Sequence, residues 1–83
     1  MYYLYIIRCK NNSLYTGITG SLRKRFREHK LGEVPFTKNR RPVRIVYWKI
    51  FNTREKAAKR EREIKGWRRE KKERLIKNLK SLH

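Results

Sequence analysis

The chain is 83 residues long, with 25 lysines and arginines against 7 acids, a net charge of +18. That length supports one domain with a single modest core, and so dense a positive charge repels itself unless an anionic partner, nucleic acid first and a membrane surface second, relieves it. All the acids are glutamate, which excludes a cluster of aspartates holding two metals and a Ser-His-Asp triad; one cysteine, Cys9, excludes an internal disulfide and, with only His29 and His83 beside it, a structural zinc site.

No apolar run is long enough to span a bilayer, and the opening MYYLYIIRC lacks the basic n-region and small-residue cleavage site of a signal peptide. A soluble, cytoplasmic, monomeric single domain over 1–83 is expected. Residues 3–9 and 14–18 are rich in Tyr, Ile and Leu and are split by Lys10-Asn11-Asn12-Ser13, the pattern of a hairpin. Thr19-Gly20-Ser21 supplies loop and N-cap chemistry for a helix over about 21–31, which Gly32 stops. A loop over 32–42 is bounded by Pro35 and Pro42 and holds the basic cluster Lys38-Asn39-Arg40-Arg41. The run 43–51, VRIVYWKIF, is long, β-branched and aromatic and reads as the third strand. Asn52 or Thr53 caps a second helix over about 54–65, with Glu55 in its first turn. Gly66 interrupts, and a third helix over about 68–80 turns Leu75, Ile76 and Leu79 inward. The order β-β-α-β-α-α predicts an α+β domain, a small three-stranded antiparallel sheet flanked by helices.

Polar residues on apolar stripes are the useful signal. Leu22, Arg25, Phe26 and His29 share one helical face. A guanidinium there either snorkels to water from the stripe's edge or meets an anion. His29, near the helix C-terminus, is open to a structural or a catalytic role. In the second helix Ala57, Glu61 and Ile64 form the core-facing stripe. Glu61 either bridges to Arg25 or faces a cleft and holds a hard cation whose other ligands are water. Glu55 and Glu63 point elsewhere, among basic neighbours, and read as surface ion pairs.

Along the first strand Tyr3, Tyr5, Ile7 and Cys9 face one way, and Tyr15 and Gly17 share a face of the second. A two-residue Asn-Asn turn would put Tyr5 and Tyr15 on opposite faces. A three-residue loop pairing Cys9 with Ser13 sets Tyr5 across from Gly17, with both phenols on one face and room beside Tyr5. The second parity is the one predicted. Tyr2, Tyr3 and Tyr47 are expected to be packing residues.

Tyr3-Leu4-Tyr5, Tyr15-Thr16-Gly17, Arg25, His29 and Glu61-Arg62-Glu63-Ile64-Lys65-Gly66-Trp67 together resemble the GIY-YIG nuclease domain, above all its small stand-alone bacterial members. The resemblance runs through nearly the whole chain. It implies phosphodiester hydrolysis of DNA, structured or branched DNA included, with one divalent ion, Mg²⁺ or Mn²⁺. It implies that Tyr5 and Tyr15 line the site, one of them helping to activate the attacking water. Arg25 would then steady the phosphate's charge and Glu61 bind the metal, and His29 falls where some members carry a catalytic histidine. Two departures stand out: Tyr3 occupies the position of the family's Gly, and Lys77-Asn78-Leu79-Lys80-Ser81 lacks the Asn-Pro expected near the end, which leaves Asn78 without an assigned role.

The implied chemistry is physically coherent. A phenol, with a pKa of about 10, is a poor base at neutral pH, but Arg25, a metal and the +18 charge are expected to lower it. Arg25 offers a fixed fork to two phosphate oxygens, and a single Glu suits Mg²⁺, which keeps most of its waters. Lys38, Arg40 and Arg41 of the loop, with Arg68, Arg69, Lys71 and Lys72 of the last helix, are expected to hold the nucleic-acid backbone, DNA rather than RNA, with little sequence preference. No organic cofactor is called for. Two rival readings share the composition: a non-catalytic basic nucleic-acid-binding module on the same fold, and an accessory protein docking on ribosomal RNA or an acidic protein.

Overall fold

Strand β1 (Tyr2–Cys9) is apolar on both faces, and the domain is built around it. It pairs antiparallel with β2 (Leu14–Thr19) on one side and with β3 (Val43–Phe51) on the other, so the sheet order is β2-β1-β3. The structure is a computed structural model that describes the backbone of residues 1–81 and the side chains of residues 1–78. Four helices complete it: α1 (Leu22–Lys30), α2 (Pro35–Lys38), α3 (Arg54–Lys65) and α4 (Arg69–Ser81). The predicted α+β architecture is the observed one. Its one addition is α2, a single turn inside the 32–42 stretch expected to be loop, opened by Pro35 at a position where the missing N–H is tolerated. The inward placing of Leu79 lies outside the described residues; Leu75 and Ile76 do pack inward.

Alternation along β1 divides the core in two. Leu4 and Ile6 point to one face, where they meet Tyr47, Ile64 of α3 and Ile76 of α4. Tyr5, Ile7 and Cys9 point to the other, where Tyr15, Leu22 and Phe26 cover them, the last two from α1. Each such Leu or Ile contributes about 1.5–3 kcal/mol by leaving water, so a domain this small needs both faces. Partner residues change from Ile6–Tyr47 to Ile7–Ile45, leaving Val46 as the extra residue of a β-bulge. The bulge lets two successive residues, Val46 and Tyr47, join the same core cluster.

The hairpin takes the three-residue form. Cys9 N–H donates to the Ser13 carbonyl and Asn12 N–H to the Cys9 carbonyl, both at 2.9 Å. Asn12 absorbs the left-handed position of the loop at φ 72°, a conformation Asn tolerates better than most residues. Tyr5 therefore stands opposite Gly17 and Ile7 opposite Tyr15. Ser21 caps α1 and Thr53 caps α3 through their side chains. Gly32, at φ 80°, ends α1 as expected.

A clamp the sequence did not announce ties this hairpin to α4. Arg8 grips Glu73 with both guanidinium nitrogens, at 2.9 and 2.6 Å, and Arg69 reaches both Glu73 and the Asn12 carbonyl. The hydrogen bonds from Arg8 hold the Glu73 carboxyl at about 2, well below the usual carboxylate range. Because the folded-state value is depressed, the clamp's stabilisation is complete above the unfolded value near 4.5 and disappears as pH falls toward 2. The pair is about one-third open to solvent on the Glu73 side, so its contribution is about 1 kcal/mol. Glu73→Gln should lower the melting temperature by roughly 4–8 °C at pH 7 and flatten the acid limb of the stability curve below pH 4.5, read by circular dichroism melts across pH.

Candidate active site

The face of the sheet that carries Tyr5 also carries the candidate site. Tyr5, on the central strand, is 1% exposed, and its ring leans toward β2 over Gly17. A methyl group on Gly17 would lie 2.6 Å from Tyr5 Oη and 2.8 Å from Cζ, so glycine is what admits the phenol there. Tyr15, on the edge strand, stands on the same face with its ring centroid 6.3 Å from that of Tyr5 and is only partly buried. From α1, Arg25 and His29 come down onto this pair.

Four hydrogen bonds join these groups in a line, and its two ends fix the direction throughout. Arg25 can only donate, and its Nε–H donates to Tyr5 Oη at 3.3 Å. At the far end, Thr37 Oγ1–H donates to the Val34 carbonyl at 3.4 Å. Thr37 Oγ1 therefore accepts from His29 Nδ1–H at 2.8 Å, and neutral His29 is left with Nε2 as an acceptor for Tyr5 Oη–H at 3.0 Å. Every donor finds one acceptor, and no buried side-chain nitrogen or oxygen among the described residues lacks a partner.

The chain's own groups do not by themselves give Tyr5 the lowered pKa expected of a phenol beside Arg25 and a metal. The Tyr5 phenol is not acidified: burial pushes it up to about 12, outweighing the downward pull of the Arg25 hydrogen bond and charge, while Tyr15 and Glu61 add smaller upward effects. The net charge of +18 sits mostly on the surface, where water screens it; desolvation acts on the oxygen itself. His29 is fully buried, and burial with the adjacent Arg25 charge lowers it to about 4. It is neutral at pH 7, so the C-terminal dipole of α1 does not hold it as a cation.

Arg25 neither snorkels freely nor bridges to Glu61. It donates from Nη1 to Glu28 at 2.9 Å, and that bond, then the one to Tyr5, raises its already high pKa. It lines a cleft of about 490 Å³ together with Lys24, Glu28 and Arg54. Glu61, partly buried on the Ala57–Ile64 stripe of α3, pairs instead with Lys65 at 3.2 Å and is near enough to Tyr5 to raise its pKa. Among the described residues no group of three or more His, Cys, Asp or Glu stands together.

The predicted backbone-binding residues are less free than their charge suggests. Arg40 stacks on Phe36 and donates to its carbonyl, and Arg41 packs over Gly32 and donates to the Lys38 and Lys30 carbonyls. Arg69 belongs to the Glu73 clamp, Lys71 lies over the Trp67 ring, and Lys72 is partly buried. Lys38 and Arg68 are exposed. Two site residues are not among those the sequence singles out: Thr37, whose helical turn lies in a stretch with loop composition, and Glu28, the i+3 acid from Arg25, which that spacing makes legible.

Residues 1–74 match the family described as the GIY-YIG catalytic domain. The chain belongs to that family. GIY-YIG domains are a nuclease family, and no helix among the described residues is long and apolar enough to cross a membrane. The chain is 47% identical over 75 residues to a UPF0213 protein of Haloquadratum walsbyi, covering 89% of this chain and 84% of the relative. It is also 47% identical over 76 residues to one of Staphylococcus saprophyticus, covering 90% and 93%. The solution NMR structure of a UPF0213 protein from Bacillus halodurans has a TM-score of 0.62 at 38% identity, over 93% of this chain and 84% of that one.

Two predictions follow from the GIY-YIG site geometry. Gly17→Ala should displace the Tyr5 ring and destabilise the fold by about 1–3 kcal/mol, seen as a lower melting temperature and as loss of the His29–Tyr5 hydrogen bond in imidazole ¹⁵N spectra. His29 is depressed in the folded state, so the stability it gives is complete above the unfolded value of 6.5 and is lost as pH falls toward 4. Melting temperature should decline through that window in the wild type and much less in His29→Gln.

Proposed function

We propose that this protein is a metal-dependent endonuclease that hydrolyses phosphodiester bonds in DNA with little sequence preference. The observation that supports it most is the convergence of Tyr5, Tyr15, Arg25 and His29 on one sheet face beside Gly17. Tyr5, Arg25 and His29 are held by a single hydrogen-bond line, Tyr15 packs against the His29 ring, and Arg25 opens onto a cationic cleft.

The tyrosines divide the work. Tyr5 is enclosed and protonated, with its oxygen engaged by Arg25 and its hydrogen by His29. It is a positioning residue: it sets the guanidinium of Arg25 and is itself locked by His29 and Thr37. Tyr15, partly open to solvent and within 5.1 Å of the His29 ring, is the phenol that meets the attacking water. Arg25 donates to the non-bridging phosphate oxygens as charge builds on them. Lys24 and Arg54 flank it and grip the backbone; Lys38, Arg40, Arg41, Arg68, Arg69, Lys71 and Lys72 give a wider, weaker field that draws the polyanion in.

Glu61 would hold one Mg²⁺ or Mn²⁺. The residues present fit such an ion: one hard carboxylate, partly exposed and countered by an adjacent lysine, is enough for a cation that keeps its waters and takes phosphate oxygens. When bound, the ion would acidify a coordinated water and neutralise phosphate charge.

The test is nicking of supercoiled plasmid with Mg²⁺, Mn²⁺ or chelator. Glu61→Gln, Arg25→Ala and Tyr15→Phe should each lose roughly 100-fold or more while keeping the wild-type melting temperature. Tyr5→Phe should lose both activity and stability, because it leaves His29 Nε2 without its donor. Glu61→Gln nicking as fast as wild type would show the carboxylate to be misassigned, and binding without cleavage under every metal condition would make the protein a binding module.

A further inference from the structure

One large aromatic side chain has no role in either core. Trp48, in the middle of β3, is 49% exposed. It is the direct partner of Tyr5 in the sheet, on the same face, so it stands on the other side of Tyr5 from Gly17. Tyr3 leans against it with ring centroids 6.0 Å apart and planes tilted by 57°, which braces one side of the indole. Tyr3 and Trp48 open onto a cleft of about 600 Å³ floored by Leu22, Phe26 and Ile45, with Arg23 in its wall. Gly20 and Ser21 line both this cleft and the Arg25 cleft, so the two adjoin across that turn.

We propose that this is a stacking platform for an unpaired nucleobase, and that the protein grips single-stranded or locally opened nucleic acid next to the phosphate held at Arg25. The proposal rests on the nucleic-acid reading of the site. A base has a flat apolar face that indole covers well, and the phosphates on either side of it need cations. Arg23 at one cleft and Lys24, Arg25 and Arg54 at the adjoining one supply them. A chain passing over Gly20–Ser21 would place its base on Trp48 and its neighbouring phosphate at the site. A paired base cannot do this, because its faces are already stacked within the duplex. A second copy of the chain is the rival occupant of such a face, through the open edge of β3. Charge argues against it, since each copy carries +18.

The measurement is equilibrium binding in chelator, by fluorescence anisotropy, of a labelled oligo(dT) and a labelled duplex of the same length, with light scattering on the same samples. Trp48→Ala should weaken oligo(dT) binding roughly tenfold, as loss of one stacked base does, and duplex binding by less than about twofold. Trp48→Phe should retain most of the affinity, and the salt dependence should keep its slope because no phosphate contact is removed. Equal loss on both probes, no loss on either, or a wild-type dimer that Trp48→Ala converts to monomer overturns the proposal. Because no metal is present, the result is independent of cleavage. An inactive protein with a Trp48-dependent preference for oligo(dT) sinks only the nuclease reading, and an active one without that preference sinks only the platform.

Discussion

The space that Gly17 leaves for the Tyr5 ring is the constraint on which the site depends. Because glycine lets the phenol lean toward β2, Tyr5 Oη reaches both Arg25 and His29 of α1. His29 in turn reaches Thr37, and this explains why α2 exists: the turn Pro35–Lys38 brings one hydroxyl to a buried imidazole that would otherwise have an orphan N–H. A strand, two helices and the loop between them are thus joined through one hydrogen-bonded line that starts at the Arg25 guanidinium and runs on through neutral groups. A leaner ring, a charged His29 or a missing Thr37 would leave a buried polar atom unpaired, at about 1–3 kcal/mol each.

The same enclosure fixes what each group can do. Charge summed over a small basic protein suggests that every phenol near Arg25 should ionise readily. Desolvation acts at closer range than that sum, and for Tyr5 it wins. The result is two tyrosines on one face in different surroundings: a sealed one bonded to Arg25 and His29, and one partly open to solvent. His29 follows the same logic. Its burial keeps it neutral, and only a neutral imidazole can accept from Tyr5 while donating to Thr37.

Much of this was legible in the chain, for identifiable reasons. Of the two turns the chain allows, a two-residue Asn-Asn turn and a three-residue loop pairing Cys9 with Ser13, the second sets Tyr5 and Tyr15 on one face; it is the one expected and the one that forms. Helical spacing put Arg25 and His29 on one stripe and Glu61 on another, where its neighbours Ala57 and Ile64 are buried. What stayed hidden depends on contacts distant in sequence or on solvent. Thr37 looked like any loop threonine. Arg8 and Glu73 lie 65 residues apart and carry no periodic signal. The direction of the Tyr5 shift needs burial, which β-strand alternation cannot supply for a strand covered on both faces. Counting charges likewise overstated the freedom of Arg40, Arg41 and Arg69, whose guanidinium groups are engaged with carbonyls of their own chain.

Scarcity of acids sharpens the role of Glu61. Four glutamates stand in ion pairs among the described residues, and three of them have arginine partners: Glu28 with Arg25, Glu63 with Arg60, Glu73 with Arg8 and Arg69. Arginine is planar, permanently charged and well suited to fork onto a carboxylate, so it is hard to displace. Glu61 alone is met by lysine, one turn along its own helix and more than half exposed. A lysine ammonium is a compact charge on a flexible stem, strongly hydrated, and it swings into water at little cost. A carboxylate so partnered is held less firmly than one forked onto by arginine, which is what the metal role proposed for Glu61 would require. Its charge also reaches the Tyr5 phenol, which it pushes upward. In a chain this basic, a lysine partner balances the charge of that single carboxylate without locking it in place.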